Sequence, residues 1–357
     1  MTITEVLPDD APLRQARRAR ALAEMEAAGV DILVLGREAN ARYVSGAPRL
    51  WTAGSRPFGP GCVLVRATQA VHLLSTWDEG IPDDIPRDHL YGISFNPASF
   101  LQVLRGIDGA STARTVATDA LTPGAAQMLA AAFPSADVVD GERLMQRARR
   151  VKTPLEVEAI RRSVGIAERS LAAARVALEP GVTERHLTGV FMEAMAAAGV
   201  TTPSTQDVAR VTSRAVHRDA PVAAGDLVVF HAGVVAGGYI GELGRTATVG
   251  DGALPSSLAE RGEALWDRLL KACSPGAPLA GLLDAYDTPP PLPVAHGLGL
   301  GYDLPLVTHA LRRTAAGQHL EVGMVLALTA FVHEPGVGAV HFQEPVHITS
   351  NGPEVLS

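Results

Sequence analysis

A hairpin in the second half of the chain carries two ionisable side chains on strands that otherwise read as buried. Residues 225–233 and 239–246 are rich in apolar and β-branched side chains, and Ala236-Gly237-Gly238 supplies a tight turn between them. A two-residue loop at Ala236-Gly237 sets His231 directly opposite Glu242 on one face, with Cβ atoms about 5 Å apart. An imidazole and a carboxylate so placed can share a proton as an acid–base pair, or a metal ion. An ordinary hydrogen-bonded pair has the same spacing, but an ionisable group on a buried strand is costly unless partnered. Downstream, Val294-Ala295-His296-Gly297-Leu298-Gly299 surrounds a third titratable group with glycines that admit backbone or ligand close to His296. A second hairpin turning near Glu334-Pro335-Gly336 sets Thr329 opposite Gln343. Both donate and accept hydrogen bonds without titrating usefully, which suits them to orienting a substrate. His333, His341 and His347 fall on strand faces or loops of the same region.

Strands must hold these groups, and the second half of the chain is patterned to supply them. Residues 208–250, 292–308 and 322–349 read as strands and residues 255–285 as helix. Thr153-Pro154-Leu155-Glu156 is a capping box with proline at the first helical position, so a helix starts at Pro154 and runs to about residue 177. A second capped start at Thr183 opens a helix to about residue 198. The basic run at 147–152 precedes both and marks a boundary between domains spanning residues 1–150 and 151–357. In the first domain an amphipathic helix over 12–29 ends at Gly29, strands follow at 30–35, 61–65 and 71–74, and another helix covers 122–133. That alternation reads as a small α/β domain, and the second half as α+β.

Composition excludes several classes. The chain has 357 residues, 47% hydrophobic and 19% charged, enough to bury a sizeable core, so disordered and fibrous classes are out. A net charge of -7 disfavours broad phosphate-backbone binding, and no nucleic-acid partner is expected. Cys62 and Cys273 are far apart with no CxxC pairing, so neither a disulfide framework nor a thiolate zinc site is indicated. The N-terminal residues mix acids and prolines rather than forming a basic and then apolar leader, and no apolar run approaches a membrane span. A cytoplasmic protein with no membrane association is the expectation. Of eleven histidines, nine fall from His186 onward, which places the chemistry in the second half.

The order of motifs carries a resemblance. Residues 225–233 (GDLVxxxAG), then Arg245-Thr246, then HGLGL from His296, then GMV at Gly323, then a last strand ending near Asn351-Gly352 resemble the creatinase and Xaa-Pro aminopeptidase family, the M24 metallopeptidase group. The resemblance extends to residues 18–29, the strand after them, residues 40–46 and the linker. It implies a C-terminal pita-bread α+β domain behind a small creatinase-type α/β domain. Peptidases of this family hold two divalent ions with Asp, Asp, His, Glu and Glu. The matching positions here hold His231, Glu242, His296, Thr329 and Gln343, so only His296 keeps the family's residue type. One carboxylate stands where the two-metal pattern has four, and hard cations want carboxylate oxygens.

Two readings of such a site follow from the resemblance. The leading one expects no cofactor: a creatinase-like enzyme cleaving a C–N bond in a small carboxylate-bearing substrate by His/Glu acid–base chemistry. His217 matches creatinase's catalytic histidine, and His217 or His231 would be the general base. Glu242 would orient the imidazole, and His296 would stabilise developing charge. Asp303 stands where the family has its second histidine, and it serves either as an acid or as a turn cap. His341 stands where the family commonly has an arginine near the substrate. Arg56, with Arg49 as rival, matches creatinase's arginine that grips the partner subunit's substrate carboxylate, which implies a homodimer. Trp51 and Phe58 share that loop. In the other reading His231, Glu242 and His296 hold one divalent transition metal, Fe, Zn or Mn, in a hydrolase, peptidase or lyase. A non-catalytic pita-bread binding module is a third possibility.

Overall fold

The computed structural model describes residues 11–47, 61–74, 80–91, 97–119, 122–215, 217 and 219–357. The chain divides into two compact units between Arg149 and Arg150.

In the first unit, α1 (Ala11–Ala27) precedes β1 (Ile32–Leu35), α2 (Glu38–Ser45), β2 (Cys62–Val65), β3 (Val71–Leu74) and β4 (Leu90–Tyr91). After these come α3 (Pro97–Gly106), β5 (Thr115–Thr118), α4 (Pro123–Ala132), β6 (Asp137–Asp140) and α5 (Gly141–Arg150). The six strands form one mixed sheet in the order β4-β3-β2-β1-β5-β6. β1 is an inner strand, antiparallel to β2 and parallel to β5, and all four of its residues are buried, so it reads as an unbroken apolar run. Ile32, Val34, Val63, Val65 and Val116 pack with Phe100 and Leu104 of α3 and Met128 and Leu129 of α4 to form the core. Cys62 and Cys273 are both buried free thiols.

In the second unit the Thr153 hydroxyl accepts from the Glu156 backbone, the Glu156 carboxylate answers the Thr153 N–H, and α6 (Pro154–Val176) follows. Next are α7 (Glu184–Ala197), capped by Thr183, then β7 (Ala209–Val211), β8 (Leu227–Ala236) and β9 (Tyr239–Thr248). α8 (Ser256–Ala272), α9 (Ala280–Asp284), β10 (Ala295–Gly299), β11 (Gly301–Val307) and α10 (Arg312–Ala316) lead to β12 (Val325–Glu334), β13 (Gly338–Thr349) and β14 (Gly352–Val355). Seven strands run in the order β11-β10-β12-β13-β9-β8-β7, with β14 added on β13.

Strand periodicity decides which side chains meet the helices and which meet the site. Leu326, Leu328, Ala330 and Val332 of β12, with Val340, Val346 and Ile348 of β13, pack on Leu258, Leu265 and Leu269 of α8. The intervening residues, Thr329, Phe331 and His333 on β12 and His341 and Gln343 on β13, therefore share the opposite face. α6 packs behind β8 and β9 in the same way. Thr329, His333, His341 and Gln343 thus share one face of the sheet.

Candidate active site

The β8–β9 hairpin corrects one expected pairing. Its turn residues are Gly237 (φ 57°) and Gly238 (φ 90°), so the loop lies one residue later than Ala236-Gly237. Two consecutive positive φ values suit glycine, whereas the expected loop would put Ala236 in that region. Glu242 consequently faces Gly233, and His231 faces Gly244. The one-residue move of the turn shifts the register by two, so His231 and Glu242 keep the same face but stand diagonally rather than directly opposite. Thr329 does pair with Gln343, and Gln343 in turn pairs with Gly244.

Glu242 is the hub of the site and is fully buried. Its Oε1 accepts from the Tyr302 hydroxyl at 2.6 Å and from the Ser204 hydroxyl at 3.2 Å. Its Oε2 accepts from the Gln343 amide at 3.2 Å and lies 3.1 Å from His296 Nε2. With carboxylate as acceptor, that His296 nitrogen carries the proton. His231 Nε2 stands 3.8 Å from the same oxygen, too far for a hydrogen bond, and is buried without a partner. Burial by itself would raise the Glu242 pKa, but the imidazoles of His231 and His296 outweigh it and hold the carboxyl well below its ordinary range. The site therefore keeps a buried anion.

His341 forms the neighbouring wall. Its ring lies edge-on to His231 with centroids 5.4 Å apart, and the Phe331 ring is 6.4 Å away. Burial, reinforced by the charge of His231, pushes the His341 pKa down to about 3, so this imidazole is neutral at physiological pH. Glycines make the clustering possible. A Cβ on Gly233 would stand 2.0 Å from Ser204 Oγ, and one on Gly244 would stand 2.7 Å from the His341 ring.

The other sequence candidates lie in different settings. His217 is exposed and within 3.7 Å of Asp219, and it makes none of the contacts to Glu242. Asp303 is ion-paired with Lys152 at 2.7 Å, both side chains being buried. Arg56, with Arg49, Trp51 and Phe58, lies outside the described residues. Sequence reasoning missed Ser204 and Tyr302. Ser204 is held at Glu242 because its N–H donates to the Gly233 carbonyl at 2.9 Å. Tyr302 reaches Glu242 through the β10–β11 ladder, which shifts register between His296 and Gly297 and pairs Tyr302 with Leu298. A tyrosine six residues beyond the HGLGL histidine was the one available signal.

Comparison with known proteins places this geometry. Residues 17–151 match the creatinase/prolidase N-terminal domain and residues 158–350 match metallopeptidase family M24. Among solved structures, the prolidase from Pyrococcus horikoshii OT3 superposes with a TM-score of 0.74 at 19% identity, covering 95% of this chain and 97% of that one. The Xaa-Pro dipeptidase from Bacillus anthracis gives 0.74 at 18% identity, over 96% and 97%. The putative dipeptidase YkvY of Bacillus subtilis is 22% identical over 264 residues, 68% of this chain and 70% of that protein. The fold is accordingly a pita-bread domain behind a creatinase-type domain.

The family match overturns the expectation that no cofactor is used: a metallopeptidase family implies metal dependence. Glu242 with the imidazoles of His231 and His296 is a donor set of the kind that suits a transition-metal ion. Two imidazoles and a carboxylate are transition-metal ligands, and the orphaned His231 Nε2 is an unused buried donor beside Glu242. Among the described residues no three His, Cys, Asp or Glu side chains stand as a preformed metal cluster, so an ion must take Glu242 Oε2 from its present hydrogen bonds. The M24 match spans more than half of the 357 residues, with the creatinase-type domain ahead of it, and this chain belongs to metallopeptidase family M24.

Proposed function

We propose that the chain is a metal-dependent hydrolase that cleaves the amide C–N bond of small peptides of the Xaa-Pro type, with one divalent ion held by His231, Glu242 and His296. The observation that carries the reading is the buried, unpartnered His231 Nε2 lying 3.8 Å from an anionic carboxylate that already has His296 on the same oxygen. The names of the relatives, prolidase, Xaa-Pro dipeptidase and putative dipeptidase, support the substrate class.

Bound there, a divalent ion supplies Lewis acidity toward the scissile carbonyl and makes water nucleophilic at neutral pH. The chain's own residues do the rest. Tyr302 and Ser204 fix Glu242 through Oε1 and leave Oε2 turned toward the imidazoles. Thr329 and Gln343 stand side by side on the same face; the Gln343 amide N–H is held by Glu242 Oε2, which leaves its carbonyl oxygen and the Thr329 hydroxyl for a substrate amide. His341, neutral, adds a hydrogen-bonding group without adding charge.

Metal analysis of protein purified without chelator, followed by assay on an Xaa-Pro dipeptide, tests the proposal. About one equivalent of Zn, Mn or Fe per chain is expected, with activity lost on chelation and restored by one equivalent. His231→Ala and Glu242→Ala should each abolish both binding and restoration. Full activity with less than about a tenth of an equivalent of metal, or two tightly held ions per chain, refutes it.

A further inference from the structure

β9 and β13 bring Glu242 and Gln343 together, yet the two strands share a single registered pair, Gly244 with Gln343. Continued in either direction, that antiparallel register sets Pro345 opposite Glu242 and Thr246 opposite His341. Neither step is an ordinary rung. Proline has no N–H to give, and the Pro345 carbonyl accepts from the Leu356 N–H at 2.9 Å. At the other step the Thr246 hydroxyl stands in for its backbone, accepting from the His341 N–H at 2.8 Å and donating to the His341 carbonyl at 3.2 Å.

Arg245 spans the pair that lies between these steps. Its Nη1 donates to the Gly244 carbonyl at 2.8 Å and to the Gln343 carbonyl at 3.2 Å, one on each strand. Its Nη2 donates to Glu344 Oε1 at 2.5 Å, and its guanidinium lies 4.8 Å from the centroid of the Phe342 ring. Alternation along both strands turns Arg245, Phe342 and Glu344 away from the face that carries Glu242 and Gln343. The Glu344 side chain is 4% exposed and that of Arg245 20%, so water competes little for these bonds. Arg245 thus reaches the site through the backbone alone. Gly244 faces His231 on β8 and Gln343 on β13, so a change in spacing here moves His231, Glu242 and Gln343 relative to one another.

We infer that Arg245, braced by Glu344, is a positioning residue: it holds β9 to β13 at the Gly244–Gln343 pair and so fixes the reach of Gln343 and His231 to Glu242 Oε2. The fork of the guanidinium is required, since one planar group serves two carbonyls and a carboxylate at once. The role rests on the metal-binding reading above and extends it to a pair of residues that hold no ion themselves.

Metal binding, read apart from catalysis, tests it. Mn²⁺ dissociation constants are measured by equilibrium dialysis for the wild type, Arg245→Met, Arg245→Lys and Leu187→Ala, the last a core truncation on α7, which packs on α6 and β7. Arg245→Met should weaken Mn²⁺ binding about 10- to 100-fold. Arg245→Lys should still bind at least about threefold more weakly than wild type, because an ammonium meets the Glu344 carboxylate but does not span both carbonyls. Leu187→Ala, destabilised but with the β9–β13 junction intact, should bind within about twofold of wild type. A loss smaller than about threefold in either Arg245 variant overturns the inference, as does a loss in Leu187→Ala equal to that in Arg245→Met. If Arg245→Met does not fold, Arg245→Lys decides by the same limit. If the wild type binds no metal, the metal reading has failed, and NMR of the metal-free protein decides the positioning role alone. The Gln343 side-chain amide signal, assigned by its loss in Gln343→Leu, should be displaced from the free-glutamine position in wild type and return toward it in Arg245→Lys. The same position in both proteins overturns the inference.

Discussion

The Tyr302 hydroxyl donates to Glu242 Oε1 at 2.6 Å, although the tyrosine itself is 58% exposed and the carboxylate is fully buried. An exposed residue thus fixes the orientation of the buried anion at the centre of the site. Removing only the hydroxyl, in Tyr302→Phe, should weaken Zn²⁺ or Mn²⁺ binding by about 10- to 100-fold while leaving the thermal midpoint within a few degrees, because the ring loses little burial. Equilibrium dialysis against metal, alongside a thermal melt, measures both.

Crowding around the hub leaves no space for a methyl group at two strand positions. A Cβ on Gly233 would fall 2.8 Å from Glu242 Cγ as well as against Ser204, and one on Gly244 would fall 2.8 Å from Gln343 Cβ. Gly233→Ala and Gly244→Ala should each cost about 1–3 kcal/mol by urea denaturation and lower kcat/KM by displacing Ser204 or His341.

Restoring a carboxylate should make the fold lean on metal. Gln343 now donates to Glu242 Oε2 at 3.2 Å, so Gln343→Glu replaces a hydrogen bond with two like charges in a buried setting. Without metal the variant should be about 1–3 kcal/mol less stable than wild type. Added Mn²⁺ should raise its melting temperature more than it raises the wild type's, as differential scanning fluorimetry would record.

Asp303 and Lys152 form a buried ion pair, with side-chain exposures of 6% and 1%. Truncating one partner removes the opposite charge that balances the other in a buried setting. Lys152→Ala should therefore cost about 3–5 kcal/mol, measured by denaturant unfolding of the purified protein.

His341 gives the pH dependence a sign. Its pKa falls from 6.5 to about 3 on folding, so the unfolded chain binds the extra proton throughout that window. Stability from this group is complete above pH 6.5 and declines as pH falls, by at most about 1.4 kcal/mol per pH unit. Urea midpoints at pH 7.5 and pH 5 should differ less in His341→Gln than in wild type, since glutamine has no proton to take up.

The faces and most of the elements were legible in the residues. The capping box at Thr153 and the N-cap at Thr183 are local hydrogen bonds between side chains and backbone a few residues apart, and both helices start there. Period-two patterning put Thr329, His341 and Gln343 on the face away from α8, because alternation is a property of each strand alone. The exact register of the first hairpin was less legible, since three candidate turn residues, Ala236, Gly237 and Gly238, allow two loops and only backbone φ values distinguish them.

By itself the sequence determined the family's order of motifs and the two units, one α/β and one α+β. Tertiary structure alone decided what surrounds the Glu242 carboxylate. Ser204 lies 38 residues from Glu242, His296 54, Tyr302 60 and Gln343 101. Contacts at such separations depend on how strands and loops pack in space, which no local period encodes, and they turn a lone glutamate into a buried, oriented anion.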